Sequence, residues 1–252
     1  MILSTIDKKL VSRRFAGSIN SYAANAVVQS ETAGGLIAAL KAACGNRFDE
    51  IFEVGCGTGL LTSGIIRELQ HQRLTVNDIV PEYRSHIAKI ANCEFIEGDI
   101  ETISGLPLHA DLIISNATFQ WLANPEAAFA RFAGILPSGG VLAFSTFGPE
   151  NMREIASITG HSLAYPSIAR IREMLSANFE IKTISEQSRS LVFSAPQRVL
   201  EHLRKTGVTG IKSRIWTKSV LKNFIKGYID RYSVADGVTL TYHPVLVVAV
   251  KR

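Results

Sequence analysis

The densest chemistry in the chain lies in seven consecutive residues, Glu53-Val54-Gly55-Cys56-Gly57-Thr58-Gly59. An apolar strand over 50–54 runs into them, and a segment with helical spacing, 60–69, runs out. Glycines at such a junction permit tight turning and close backbone approach, and the first turn of the following helix offers unpaired N–H donors. The spacing is G-x-G-x-G. Leu60 stands where a dinucleotide fingerprint needs its third glycine, which disfavours a pyrophosphate ligand. Glu53, at the mouth of the strand, repels phosphate but can receive an ammonium, directly or through water. Asp78 follows Gly59 by 19 residues, at the end of the second strand, where a carboxylate can accept both hydroxyls of a ribose. Asp99-Ile100, after the third strand, suits the amino group and apolar face of an adenine. Any one of these acids reads equally well as a cap or turn residue; their order and spacing together point to one ligand.

These residues need a scaffold that brings strand ends together, and the rest of the chain supplies the pattern for one. After a helical leader, about 5–43, strands are expected at 50–54, 74–78, 93–97, 111–115 and 141–147. Helices are expected between them, at 60–69, after Pro81, and at 125–136, where Pro125 opens the first turn. Strands alternating with helices at this spacing imply an α/β fold with a parallel sheet covered on both faces. Beyond Gly148 the pattern predicts helices at 151–159 and 167–177, then strand-like sequence over 179–193. Two basic helical segments follow, near 196–206 and 217–232, and an extended β-branched run over 238–250 returns to the sheet. We expect a single domain over 1–252: a helical cap (1–43), a ligand-binding core (44–193), a basic helical insertion over the ligand edge of the sheet (194–236) and a terminal strand (237–252).

Composition bounds the alternatives. The chain has 252 residues, 46% hydrophobic and 19% charged, enough to bury a full core. No apolar run approaches the ~20 residues of a membrane span, and the first residues mix charged and polar groups unlike a secretory signal. Three cysteines, Cys44, Cys56 and Cys93, form no C-x-x-C pair, and the six histidines form no H-x-x-x-H pair. A cytoplasmic protein without a metal is the expectation. Residues 1–181 carry 14 basic and 18 acidic groups, whereas 182–252 carry 13 and 4. A C-terminal part near +9 suggests either a face for an anionic partner or a solvated helix surface.

A ligand with an ammonium, a carboxylate, a ribose and an adenine but no phosphate is S-adenosylmethionine. The run Glu53 to Gly59 with Asp78, Asp99 and Ser115-Asn116 resembles the class I methyltransferase pattern over about 50–147. That resemblance implies a Rossmann-like, seven-stranded, mostly parallel sheet whose last strand is antiparallel. The residues expected at the cofactor are Glu53, Gly55, Cys56, Gly57, Asp78, Ile79, Asp99, Ile100 and Asn116.

The chain also resembles a narrower family, the malonyl-[acyl-carrier protein] O-methyltransferases of biotin synthesis. The similarity lies in Arg13-Arg14-Phe15 with Ser21-Tyr22 and Gln29, in Asn116-Ala117-Thr118-Phe119-Gln120-Trp121, and in Ser145-Thr146-Phe147-Gly148-Pro149. It continues in Leu203-Arg204-Lys205-Thr206-Gly207 and Leu240-Thr241-Tyr242-His243-Pro244. The resemblance implies methylation of the free carboxylate of a malonyl thioester, on carrier protein or on CoA, giving the ester that primes pimeloyl synthesis and leaving S-adenosylhomocysteine. Such a carboxylate is already ionised at neutral pH, so no proton-transfer residue is expected.

The carboxylate still calls for a positioned donor. Arg153, just past Phe147-Gly148-Pro149, is the first expectation, and His243 on the last strand the second. Phe15, Tyr22 and Gln29 are seven apart and share a face if the leader is one helix. Tyr22 can cover the cofactor or touch the carboxylate, Trp121 can wall the transfer pocket, and Arg13 and Arg14 can meet a phosphate or a carrier surface. Arg204, Lys205, Lys212, Arg214, Lys218, Lys222 and Lys226 form an expected docking face for acidic acyl carrier protein.

Two other readings stay open: a methyltransferase of a free small molecule, such as an organic acid or a quinone precursor, and a non-catalytic cofactor-binding regulator. A nucleic-acid methylase is disfavoured, because Ser115-Asn116-Ala117-Thr118 replaces the Asn/Asp-Pro-Pro-aromatic motif and the basic region lacks stacking aromatics.

Overall fold

The computed structural model describes residues 2–3, 6–208 and 217–252. The N-terminal part comprises β1 (Ile2–Leu3), α1 (Lys8–Asn25) and α2 (Val27–Cys44). Next come β2 (Glu50–Val54), α3 (Leu60–Glu68), β3 (Arg73–Asp78), α4 (Tyr83–Ile87), β4 (Glu94–Glu97) and β5 (Leu112–Ser115). A single 3-10 turn at Phe119–Trp121 leads into α5 (Pro125–Ile135) and β6 (Val141–Phe147). The chain continues through α6 (Arg153–Thr159), β7 (His161–Ser162), α7 (Ile168–Leu175), β8 (Phe179–Glu186) and β9 (Arg189–Phe193). It closes with α8 (Pro196–Lys205), α9 (Lys218–Tyr232), β10 (Ser233–Val234), β11 (Gly237–Tyr242) and β12 (Pro244–Lys251).

Seven strands form the main sheet in the order β4-β3-β2-β5-β6-β12-β8. All neighbours are parallel except β12, which runs antiparallel to both β6 and β8. Helices cover both faces, so the strands read as apolar runs whose residues alternate between two cores. On β6, Leu142 and Phe144 join the α5 and α7 side, while Val141 and Ala143 join the α2 and α3 side. Strand order reverses on either side of β2, and α/β sheets open a crevice at the carboxyl ends of the strands beside such a reversal.

Three sequence expectations resolve differently. The condition under which Phe15, Tyr22 and Gln29 share a face, one continuous leader helix, is not met: Ala26 divides the N-terminal helices at φ −84°, ψ 51°, with its N–H on Tyr22 O. The two halves have different tasks, since α2 buries Leu36, Ile37 and Leu40 against the sheet while α1 packs against α8. A straight helix cannot serve both. The run over 238–250 is likewise two strands. β11 pairs with β9 and β10 in a separate three-stranded sheet, and only β12 enters the main one. They part at His243, whose carbonyl accepts from Gly148 N at 2.7 Å, directly before Pro244 with its missing donor. The stretch 179–193 divides in the same way into β8 and β9. The two basic helices are therefore flanked by a small sheet of their own.

That subdomain is tied down over the end of β6. Phe147, Met152 and Ile155 share a core with Val199, Phe224, Tyr228 and Tyr242. Glu154, fully buried, accepts from Thr241 N at 3.0 Å and Thr241 Oγ1 at 2.6 Å, pinning α6 to β11. No helix among the described residues is long and apolar enough to cross a membrane.

Candidate active site

A cleft opens where β2, β3, β4 and β5 end, and the glycine loop forms its floor. Gly55 has φ +72° and gives its N–H to Asn77 O at 2.8 Å; a Cβ there would lie 2.1 Å from Thr118 Oγ1. Only glycine satisfies both the conformation and the contact. Gly57, at φ +52°, faces open space, where a side chain would meet nothing but would narrow the cleft.

Asn77 and Asp78 divide their labour by the alternation of the strand. The Asn77 amide donates to Ile96 O and Gly98 O, both at 2.9 Å, and locks β3 to the β4 loop. Asp78 faces the cleft, accepting Gly57 N at 2.8 Å and Val80 N at 2.9 Å. Burial pushes its carboxyl up to about 6, partly offset by those donors. Ile79, Asp99, Ile100 and Asn116 line the same cleft. Asp99 Oδ1 accepts Lys8 Nζ at 2.6 Å and Glu101 N at 3.0 Å, leaving Oδ2 without a partner among the described residues. Asn116 is held from both sides, donating to Gln29 O at 3.0 Å and accepting Ser145 Oγ at 2.6 Å.

The cleft suits an adenosine bearing a cationic side arm. It offers two carboxylates, Asp78 and Asp99, and apolar walls from Ile79, Ile100 and Leu122. Its one lysine, Lys8, is engaged by Asp99 and Glu101, so no spare cation waits for a phosphate.

Two expected cofactor contacts do not line it. Glu53 is wholly buried beneath the loop, with Oε2 accepting Thr62 Oγ1 at 2.7 Å and Oε1 unpartnered. Burial raises its carboxyl to about 8, so it carries its proton at neutral pH. The Cys56 side chain turns into the α2–α3 core, and the residue serves the loop through its backbone, giving its N–H to Asn77 O at 2.9 Å and accepting Gly59 N at 3.0 Å.

Phe15, Tyr22, Ala117 and Trp121 line both the cleft and a second, much smaller inner chamber, which is completed by residues of α2, β6, the α6 entry and β11. Gln29, Gln120, Asn151 and Tyr165 add polar groups to its aromatic walls. Gln29 Oε1, Gln120 Oε1, Trp121 Nε1 and Asn151 Nδ2 are buried without a partner. Leaving such atoms unpaired costs about 1–3 kcal/mol each, so the chamber calls for a polar occupant. Burial pushes the phenols of Tyr22 and Tyr165 up, that of Tyr165 to about 12, which keeps both protonated and able to donate.

Tyr22 and Trp121 line both the cleft and the chamber. Arg153 and His243 line neither. Arg153 is half exposed and pairs with Glu150 at 3.2 Å. His243 accepts Glu150 N on Nδ1 at 3.2 Å and meets Glu186 through Nε2 at 3.0 Å. The turn after Gly148 explains the first: Asn151 N bonds Gly148 O, Met152 takes φ +54°, and α6 starts with Asn151 inside and Arg153 outside. Arg13 is exposed, and Arg14, half-buried, lines neither cavity.

Lys8 and Tyr83 at the cleft, and Asn151 and Tyr165 at the chamber, carry no signal in the sequence; Thr118, Gln120 and Tyr242 stand there only within the resemblance motifs, and Asn77 only as the neighbour that competes with Asp78 for the ribose. Alternation along β3 could have assigned Asn77 to the neighbouring strand. Nothing local marks Asn151 as an inward residue.

A methyltransferase-domain family matches residues 52–144. The malonyl-[acyl-carrier protein] O-methyltransferase of Chlorobium luteolum is 39% identical over 253 aligned residues, covering 98% of this chain and 96% of that protein. The protein of the same name from Prosthecochloris aestuarii is 36% identical, covering 96% of this chain and 92% of its own. Among solved structures, the YcgJ protein of Bacillus subtilis superposes with a TM-score of 0.61 over 88% of this chain and 98% of that one. At 15% identity, that likeness speaks for the fold alone.

Proposed function

The chain belongs to the malonyl-[acyl-carrier protein] O-methyltransferases, and from that premise we propose that it methylates the free carboxylate of malonyl-acyl carrier protein, using S-adenosylmethionine. The observation that carries the reading is a chamber walled by aromatic and neutral polar side chains that shares Phe15, Tyr22, Ala117 and Trp121 with the cleft and has no base among the described residues of its lining. In the proposed complex Asp78 takes the ribose hydroxyls, Asp99 Oδ2 the adenine amine, and Ile79, Ile100 and Leu122 the base. The bound cofactor supplies an electrophilic methyl group on a sulfonium.

The protein's contribution is then positional. An ionised carboxylate needs no proton removed, and protonated Tyr22 and Tyr165 act as donors, not bases. Phe15 and Trp121, edge to face with centroids 5.8 Å apart, wall both the cleft and the chamber and in the proposed complex would keep water from the reacting groups. Alignment of nucleophile and methyl group without solvent is a sufficient source of rate for such a displacement. Both reacting charges vanish on the way to product, which favours an apolar surround.

The carrier's acidic surface would dock on α8 and α9. Arg204, Lys218 and Lys222 have no acidic partner among the described residues, whereas Lys205 pairs with Glu201 at 2.9 Å and Lys226 with Asp230 at 2.6 Å. Lys212 and Arg214, expected on the same face, lie outside the described residues. Rim charges of this kind set on-rate and salt dependence more than affinity.

The test is transfer of radiolabelled methyl groups to malonyl-carrier protein beside malonyl-CoA, free malonate and succinyl-carrier protein, at low and high salt. Labelling selective for the malonyl carrier and reduced by salt supports the reaction and the docking face. Cofactor binding without labelling of any malonyl thioester would overturn the reading.

A further inference from the structure

The inner chamber presents donors but no cation. Among the described residues its lining contains no lysine, arginine or histidine, yet two of its buried side chains hold N–H groups with no well-formed hydrogen bond: the Trp121 indole, and the Asn151 amide, which stands beside the Tyr165 phenol and has a second N–H to give. Asn151 is 1% exposed and Trp121 8%. Resting on the carboxyl-methylation reading above, we infer that the acceptor carboxylate is received by these two neutral donors, the Asn151 amide and the Trp121 indole N–H, and that no charged side chain holds it.

The orientation of each donor is fixed by chemistry. Asn151 Oδ1 accepts His243 N at 3.2 Å, which only the oxygen of the amide can do, so Nδ2 is the atom left for the chamber. An indole nitrogen can only donate. Gln29 adds a third polar group, its Oε1 buried without a partner. Gln120 is different. Its Nε2 is committed to Ala117 O at 2.5 Å, leaving Oε1 to accept from a donor on the occupant.

Neutral donors fit this reaction better than an arginine would. A carboxylate oxygen forms a bond to the methyl carbon as the carbon–sulfur bond breaks, and that bond's electron pair stays on sulfur. Carboxylate becomes ester, sulfonium becomes sulfide, and no proton moves. A fixed cation beside the carboxylate would stabilise the starting anion more than a transition state in which the charge is being lost, and would raise the barrier. Amide and indole donors orient the oxygens at less cost and hold the neutral ester weakly.

The experiment compares N151D, W121F and, as a surface control, R153A with the unaltered protein. N151D keeps an acceptor for His243 N while setting an anion against the carboxylate; W121F keeps a ring and removes the N–H. With S-adenosylhomocysteine bound, affinity is measured for malonyl-carrier protein and for its methyl ester, alongside kcat/KM for methylation. N151D should lower kcat/KM about 100-fold and W121F about tenfold, with R153A within about twofold. The preference for acid over ester should collapse in both chamber variants while affinity for S-adenosylhomocysteine holds, a pattern that general loosening would not give. If N151D no longer binds S-adenosylhomocysteine, W121F decides. Unchanged kcat/KM and an unchanged acid-to-ester ratio in W121F, or in a cofactor-binding N151D, overturn the inference while methylation itself stands. A wild-type protein inert toward every malonyl thioester overturns both.

Discussion

Lys8 Nζ lies 2.6 Å from Asp99 Oδ1, joining the first turn of α1 to the loop beyond β4 across the mouth of the cleft. Lys8 also contacts Glu101, whose carboxylate in turn accepts Ala123 N at 2.9 Å and Asn124 N at 2.7 Å. The latch therefore spans three segments. Because the ion pair is partly exposed, its contribution is modest and screened by salt.

Lys8→Met should weaken S-adenosylhomocysteine binding about threefold at low salt, and the difference should shrink as salt is added. Calorimetric titration of both proteins at two ionic strengths checks this. A variant that binds as tightly as the parent at low salt would remove the latch from the binding account.

Burial pushes the Asp78 carboxyl up to about 6. Accepting two ribose hydroxyls calls for the ionised form, so cofactor affinity should be level above that pH and fall as pH drops through it, by about tenfold per unit at the steep limit. Asp78→Asn should bind weakly and without that inflection. Affinity measured between about pH 5 and pH 8 separates the two cases.

Glu53 gives a slope of the opposite origin. Its folded value of about 8 lies above its ordinary 4.5, so the folded state holds the proton more tightly than the unfolded chain. Its stabilising contribution is full below 4.5 and is lost as pH rises to about 8. Glu53→Gln, which mimics the protonated acid, should lack this loss. The melting temperature of the variant relative to the parent should rise with pH across that window; a constant difference would count against a protonated Glu53.

Gly55 and Gly57 share left-handed conformations but not surroundings. Gly55→Ala drives a methyl group into Thr118 and should abolish cofactor binding. Gly57→Ala meets only the conformational penalty, about 1–2 kcal/mol, and should fold with weakened affinity. Equal behaviour of the two would mean that the Thr118 contact relaxes easily.

Much of this was legible in the sequence because it is local. A strand ending in Gly55-Cys56-Gly57, and Asp78 at the next strand's end, specify their own positions through periodicity and spacing. The order of alternating strands and helices specifies the parallel sheet. Phase at a loop is another matter. Asn151 and Arg153 are two residues apart, and only the Gly148 turn and the left-handed Met152 decide which points inward. The chamber joins Tyr22 and Gln29, seven residues apart in the leader, to Trp121, Asn151 and Tyr242 from three distant segments, and nothing local marks that those segments meet. The division at His243 was hidden for the same reason: β-branched residues favour strand on both sides of it, and only tertiary pairing assigns them to different sheets.

One helix serves two neighbours. At one end α1 closes the cleft through Lys8; at the other Ser21 Oγ bonds Lys205 O at 2.9 Å, and Phe15 packs where Gly207 leaves room. Whatever orders α8 also orders α1, and whatever orders α1 completes the cleft. Cofactor and carrier would thus draw on a single entropic cost, met by whichever arrives first, so each should bind more tightly in the other's presence and by the same factor.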